Sequence, residues 1–185
     1  MIFSRSKRGR RIAIFGGSFN PPHIGHTAIL RWLGDLGIFD EVWVVPCFQH
    51  PFDKPLAPFE HRLEMCRLAF SKVGVPLNVL QVERELGGKS RTVRTLEHLM
   101  EQNPDDTFRL VVGDDVTEDF EDWHDFDRIK QLVEVIKVPR GPKSPIPDVS
   151  STEIRRRMKA GEQFRDMIEP EVAIYLVTKA LYRDQ

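Results

Sequence analysis

Five short runs of apolar and β-branched residues recur along the chain: RIAIFGG, EVWVVP, LNVLQVE, TFRLVVG and VEVIKVP. Each is about as long as a buried strand. Between them, residues 27–36, 58–72 and 93–102 carry apolar side chains at helical spacing. Two more helices are predicted near the end, over residues 152–160 and 170–182, with Pro170 well placed as a first helical residue. Strands alternating with helices predict parallel βαβ units. The expected fold is therefore α/β, a doubly wound parallel sheet of about five strands with C-terminal helices. The proline-rich stretch VPRGPKSPIPDVSS reads as a surface loop.

Bulk properties narrow this picture without redirecting it. The 185 residues suit one domain, here 11–185, preceded by a basic tail over 1–10. A hydrophobic content of 41% and a charged content of 30% are ordinary for a globular chain. A net charge of -1 gives no global reason to expect nucleic acid or an acidic membrane as partner. No apolar run reaches the ~20 residues of a membrane span, and MIFSRSKRGRR lacks the apolar stretch of a secretory signal. Cys47 and Cys66 form no CxxC pair and read as small core residues in a reducing compartment. The expected location is the cytoplasm.

In open α/β sheets, ligands sit beyond the carboxyl ends of the strands, near the reversal of strand order. FGGSFNPPHIGH follows the first predicted strand and VVGDD ends the fourth, so both belong at that edge. Gly16 and Gly17 let the backbone approach a ligand closely. A helix starting near Ile24 turns its positive end to the same space, and His23 and His26 fall on one side of its first turn. Amides, a helix dipole and two imidazoles suit a polyphosphate. The spacing is neither the dinucleotide GxGxxG nor a P-loop. A metal site and a purely structural Gly/Pro turn are the competing readings; the first lacks a third ligand, and the second leaves both histidines unexplained. A second phosphate-binding candidate is DVSSTEIRRRM. Ser150 can cap a helix with Glu153 completing a capping box, while Ser151, Thr152 and Arg155 can hold phosphate oxygens. An ordinary capped helix with a basic solvent face is the alternative.

GGSFNPPHIGH resembles the GxFxPxHxGH signature of the nucleotidyltransferase superfamily whose core motif is HxGH. The longer match, from about Arg11 to Arg183, is to the bacterial nicotinate mononucleotide adenylyltransferases. DVSSTEIRRRM is similar to that family's ISSTxIR, VVGDDVTEDFEDWHDFDRI to its GxDxxxxFxxWxxxxxI, and VERELGGKSRTVRTLEHL to its ExExxRxxxSYTxxTL. The resemblance implies transfer of an adenylyl group from ATP to nicotinate mononucleotide, with Mg2+, giving deamido-NAD and pyrophosphate. It assigns His23, His26 and Arg155 to catalysis. ATP binding falls to these three with Gly16, Gly17, Ser18, Phe19, Gly113, Asp115, Ser150, Ser151 and Thr152. Thr92 inherits a place near the nicotinate carboxylate, and Trp123 a stacking role on the pyridine ring. Read alone, Asp115 is an N-cap and Trp123 a core residue.

Four departures bear on these expectations. Asn20 replaces a common aspartate and receives no catalytic role. Arg91 stands where tyrosine is usual, and an arginine facing the pyridine substituent favours a carboxylate over an amide. FQHPFDKP replaces a Pro-Pro-His-Lys stretch, leaving Lys54 as a candidate phosphate or substrate contact. The segment from Arg140 to Ser151 has little room for a further strand that relatives carry, which bears on any homo-oligomer contact. The alternatives are nicotinamide mononucleotide or dual specificity, another HxGH adenylyl- or cytidylyltransferase, and a nucleotide sensor without turnover.

Overall fold

A computed structural model describes residues 9–113, 123–139, 141 and 144–182. Its sheet has five parallel strands in the order β3-β2-β1-β4-β5. They are β1 (Arg11–Gly17), β2 (Glu41–Pro46), β3 (Leu77–Val79), β4 (Thr107–Gly113) and β5 (Glu134–Val138). Seven α-helices accompany them among the described residues: α1 (Ile24–Asp35), α2 (Phe59–Phe70), α3 (Val82–Leu86), α4 (Thr92–Gln102), α5 (Phe126–Leu132), α6 (Ser151–Ala160) and α7 (Pro170–Thr178). The order reverses between β1 and β4, so the loops after these two strands face one crevice.

Alternation along each central strand builds two cores. Ala13 and Phe15 of β1 and Val42 and Val44 of β2 pack with Leu30 of α1, Met65 of α2, Ile154 of α6 and Val172 of α7. Ile12, Ile14, Trp43 and Val45 face the other way, against Leu96 and Leu99 of α4 and Ile129 of α5. Burial on both faces is why these strands read as continuous apolar runs.

Two predicted elements are shorter than expected and one further helix appears. LNVLQVE is strand only over Leu77–Val79; Val82 and Glu83 already belong to α3, because β3 is an edge strand with β2 as its single partner. FDRIKQL, left without assignment above, forms α5; at seven residues it is too short to display a full apolar stripe. The last helix stops at Thr178 rather than continuing through 182. Ala180 and Tyr182 take left-handed backbone angles (φ 49° and 63°), turning Tyr182 back into the core.

Arg10, though exposed, is tied to the sheet. Its guanidinium meets Asp106 at 2.6 Å and Glu41 at 3.1 Å, and its carbonyl accepts from the Thr107 amide. A Cβ on Gly9 would lie 1.5 Å from the Asp105 carbonyl oxygen, so only glycine passes there. Among the described residues no helix is long and apolar enough to cross a membrane.

Candidate active site

The β1–α1 loop is held in place by its own side chains. Phe19 adopts a left-handed backbone (φ 45°) and buries its ring, which meets the rings of Phe15, Phe70 and His26 edge-on at 5.6, 5.8 and 4.9 Å. The Phe19 ring therefore belongs to the core. His23 is the N-cap of α1, and its amide donates to Nδ1 of His26 at 3.1 Å. A neutral His26 therefore carries its proton on Nε2. The two imidazoles stack with centroids 3.7 Å apart. The intervening Gly25 is required by space: a Cβ would come within 3.0 Å of the His23 ring and 3.3 Å of the Pro147 carbonyl.

Helix α6 docks its N-terminus on this loop. The Ser151 hydroxyl donates to the Pro21 carbonyl at 2.8 Å, and Arg155 donates to the Asn20 carbonyl at 2.6 Å and to the Thr152 hydroxyl at 3.3 Å. Ser150 caps the helix as expected, accepting from the Glu153 amide at 3.1 Å. The reciprocal arm of the predicted capping box is absent, because Glu153 pairs with Arg156 and Arg157 instead. Those hydrogen bonds pull its carboxyl down to about 2.

Beside this cluster, a cleft of about 390 Å³ opens at the carboxyl ends of β1, β2 and β4. Gly16, Gly17 and Ser18 form one wall, Gly113 and Trp123 another. Lys54 from the loop after β2, and Arg91 and Thr92 from the start of α4, complete it. Trp123 is half-buried: it packs against the second core and also lines the cleft. His23, His26, Arg155 and residues 150–152 adjoin the cleft through the shared loop without lining it. Asp115 lies outside the described residues.

Four residues escaped sequence reasoning. Arg62 of α2 has 1% exposure, and its guanidinium donates to the carbonyls of Ser18, Cys47, Phe48 and Ala57 at 2.6 to 3.1 Å. Its signal was present: it occupies the apolar face of α2 with Phe59 and Cys66. Glu83 of α3 is half-buried at the cleft and accepts from the Phe48 amide (3.1 Å), the Ser90 hydroxyl and the Thr95 hydroxyl (3.2 Å). Burial pushes its carboxyl up, against the pull of those donors and of Arg62. His50 lines the cleft, with its imidazole lowered by burial, Lys54 and Arg62. Tyr182 donates from its hydroxyl to Asn20 Oδ1 at 2.7 Å. That oxygen also accepts from the Ala57 amide (3.0 Å), while Asn20 Nδ2 donates to the Pro55 carbonyl (3.4 Å). The amide group of Asn20 thus serves both donor and acceptor needs that a carboxylate does not.

The family model described as cytidylyltransferase-like matches residues 14–157. A probable nicotinate-nucleotide adenylyltransferase of Anaeromyxobacter dehalogenans is 44% identical over 95% of this chain and 98% of its own length. One of Myxococcus xanthus is 36% identical over 93% and 94%. The chain belongs to the nicotinate-nucleotide adenylyltransferases of the cytidylyltransferase-like family. The fold of this adenylyltransferase family member is similar to a solved Plasmodium falciparum nicotinic acid mononucleotide adenylyltransferase complexed with NaAD. That pair has a TM-score of 0.80 at 22% identity, covering 95% of this chain and 98% of the other. A putative nicotinate-nucleotide adenylyltransferase from Vibrio parahaemolyticus gives a TM-score of 0.76 at 24% identity, covering 95% and 97%.

Proposed function

We propose that this protein transfers the adenylyl group of ATP to nicotinate mononucleotide, releasing pyrophosphate and forming deamido-NAD. The carrying observation is the direct docking of α6 on the histidine loop, through Ser151 to Pro21 and Arg155 to Asn20. Two segments remote in sequence thereby offer imidazoles, hydroxyls and a guanidinium to one place, next to a cleft of nucleotide size. Family membership and the names of the relatives support the same reading.

The mononucleotide's 5′-phosphate oxygen attacks the α-phosphorus of ATP, and pyrophosphate departs in line. A phosphate nucleophile needs no strong base, so the protein positions the reactants and stabilises charge. His26 donates from Nε2 to a phosphate oxygen as charge builds, and stacked His23 fixes the ring beside it. Arg155 spends NH1 on Asn20 and NH2 on Thr152 and keeps further N–H groups for the departing phosphates. Gly16, Gly17, Ser18, Gly113 and Asp115 take the nucleotide. Trp123 stacks on the pyridine, with Thr92 and Arg91 toward its carboxylate and Lys54 toward phosphate.

Among the described residues no group of three or more His, Cys, Asp or Glu side chains is arranged to hold a metal. In the proposed reaction Mg2+, a hard ion, would be held largely by substrate phosphate oxygens and water. When bound it neutralises phosphate charge. Cys47 and Cys66, both buried thiols, agree with the proposed cytoplasmic setting.

Turnover with ATP and each pyridine mononucleotide, read by product mass, tests the proposal. The expected product is deamido-NAD, with a higher kcat/KM for the nicotinate form. A higher value for the amide form overturns the substrate assignment, and no pyrophosphate release with either overturns the activity.

A further inference from the structure

Two charged side chains that take no part in the mechanism above grip the same peptide from opposite sides. After β2 the chain passes through Cys47 and Phe48 before entering the loop that carries His50, Phe52 and Lys54 into the cleft. The Phe48 amide donates to Glu83 at 3.1 Å. The carbonyls of Cys47 and Phe48 accept from Arg62 at 2.6 and 3.1 Å. Among the described residues Arg62 has no carboxylate within ion-pair distance, so its charge is spent on main-chain carbonyls.

Glu83 also reaches the opposite wall. It accepts from the hydroxyls of Ser90 and Thr95, which flank Arg91 and Thr92 at the start of α4. The same two loops meet again further out, where the Ser90 amide donates to the Gln49 carbonyl at 2.9 Å and Gln49 bridges to Lys89. Glu83 thus joins the loop after β2 to the N-terminus of α4 at the cleft, alongside direct contacts from the Phe48 amide to the Ser90 hydroxyl (2.9 Å) and from Lys89 to Asp53 (2.6 Å). Those loops bear Lys54, Arg91 and Thr92, the groups placed above toward the mononucleotide.

We infer that Glu83, buttressed by Arg62, is a positioning residue that sets the width of the mononucleotide-binding half of the cleft. The inference rests on the adenylyltransferase reading and goes beyond it, since neither residue touches the reacting atoms. The nucleotide half is not Glu83's concern: its partners all lie in the 47–48 and 90–95 segments, away from the histidine loop and α6. A role in folding alone affects the active fraction and leaves both Michaelis constants in place. A positioning role raises one of them selectively.

The test is steady-state kinetics on Glu83→Gln, with each substrate varied in turn and thermal melting run alongside. Glutamine keeps the size but brings a donor toward the Phe48 amide or the Ser90 hydroxyl. The expected result is a KM for the mononucleotide raised about tenfold, the scale of one charge-assisted hydrogen bond. KM for ATP and kcat should stay within about threefold, and Glu83→Asp should recover part of the loss. An equal rise in both KM values, or a fall in kcat alone, overturns the inference. Should Glu83→Gln show no cooperative melt, Ser90→Ala carries the same test under the same criteria, because it removes the hydroxyl that joins Glu83 and the Phe48 amide without a change of buried charge. A wild-type protein that does not turn over these substrates sinks the adenylyltransferase reading itself. Wild-type turnover with an unaltered mononucleotide KM in the variants sinks only the role of Glu83.

Discussion

Before any substrate arrives, His26 is held by a backbone amide on Nδ1, the His23 ring on its face and the rings of Phe19 and Phe15 at 4.9 and 6.0 Å. Its proton is thereby assigned to the nitrogen that remains, and His26→Ala should lower kcat roughly 10²–10³-fold, as for loss of one transition-state donor. Single-turnover rates would check this, and near-normal turnover would remove His26 from catalysis. The i, i+3 spacing of the two histidines was legible in the sequence; the tautomer was not, because it depends on which nitrogen the backbone occupies. Nor was the reason for Asn20, whose amide answers donors and acceptors from residues 35 to 162 positions away. His50 makes a pH prediction. Burial holds its imidazole below the ordinary 6.5, with Lys54 and Arg62 adding to the effect. A histidine with a lowered folded value contributes stability above that ordinary value, and the contribution is lost as pH falls. Pyrophosphate in the cleft should reverse the shift, seen as a rise in the His50 titration midpoint by NMR. A midpoint that stays in place would mean that the anion binds elsewhere.

Helix α6 gives its two adjacent serines different partners. Ser150 satisfies the Glu153 amide and Ser151 ties the helix to Pro21. Ser150→Ala should cost about 1 kcal/mol of stability, as N-cap losses do. Ser151→Ala, which cuts the tether to Pro21, should lower the melting temperature to a similar extent and in addition raise KM for ATP. Parallel melts and kinetics on the two variants would read this contrast, and identical behaviour would refute it. Glu153 is half-exposed, and its carboxyl, drawn down to about 2, keeps its partners Arg156 and Arg157 as pH drops well below 4.5. The start of α6 could be read from Ser150 alone, since a cap is a local device. The diversion of Glu153 could not, because arginines three and four residues along compete for it only once the helix exists. Helix α3 was hidden for a related reason: VE continues an apolar run, and the carboxylate that anchors Glu83 in place answers to a loop 35 residues earlier.

At the level of the molecule, the parallel sheet was legible because both faces of the central strands are covered, which leaves apolar runs in place of alternation. Its strand order and its tethers were not, since contacts between distant segments carry no local signal. The Tyr182 hydroxyl on Asn20 is the longest such tether described, spanning 162 positions. Tyr182→Phe removes one buried hydrogen bond while Asn20 Oδ1 keeps the Ala57 amide, so about 1 kcal/mol should be lost. For a chain of this size that is a melting temperature lower by roughly 2–4 °C. Calorimetry checks the figure, and no change would mean that the hydroxyl is equally satisfied by water.

The same tether has a consequence for synthesis. On the ribosome the histidine loop emerges well ahead of the tyrosine that completes its Asn20 anchor, because 162 positions separate the two partners. Nascent polypeptides halted before that tyrosine should hold an assembled sheet around an incompletely anchored nucleotide loop.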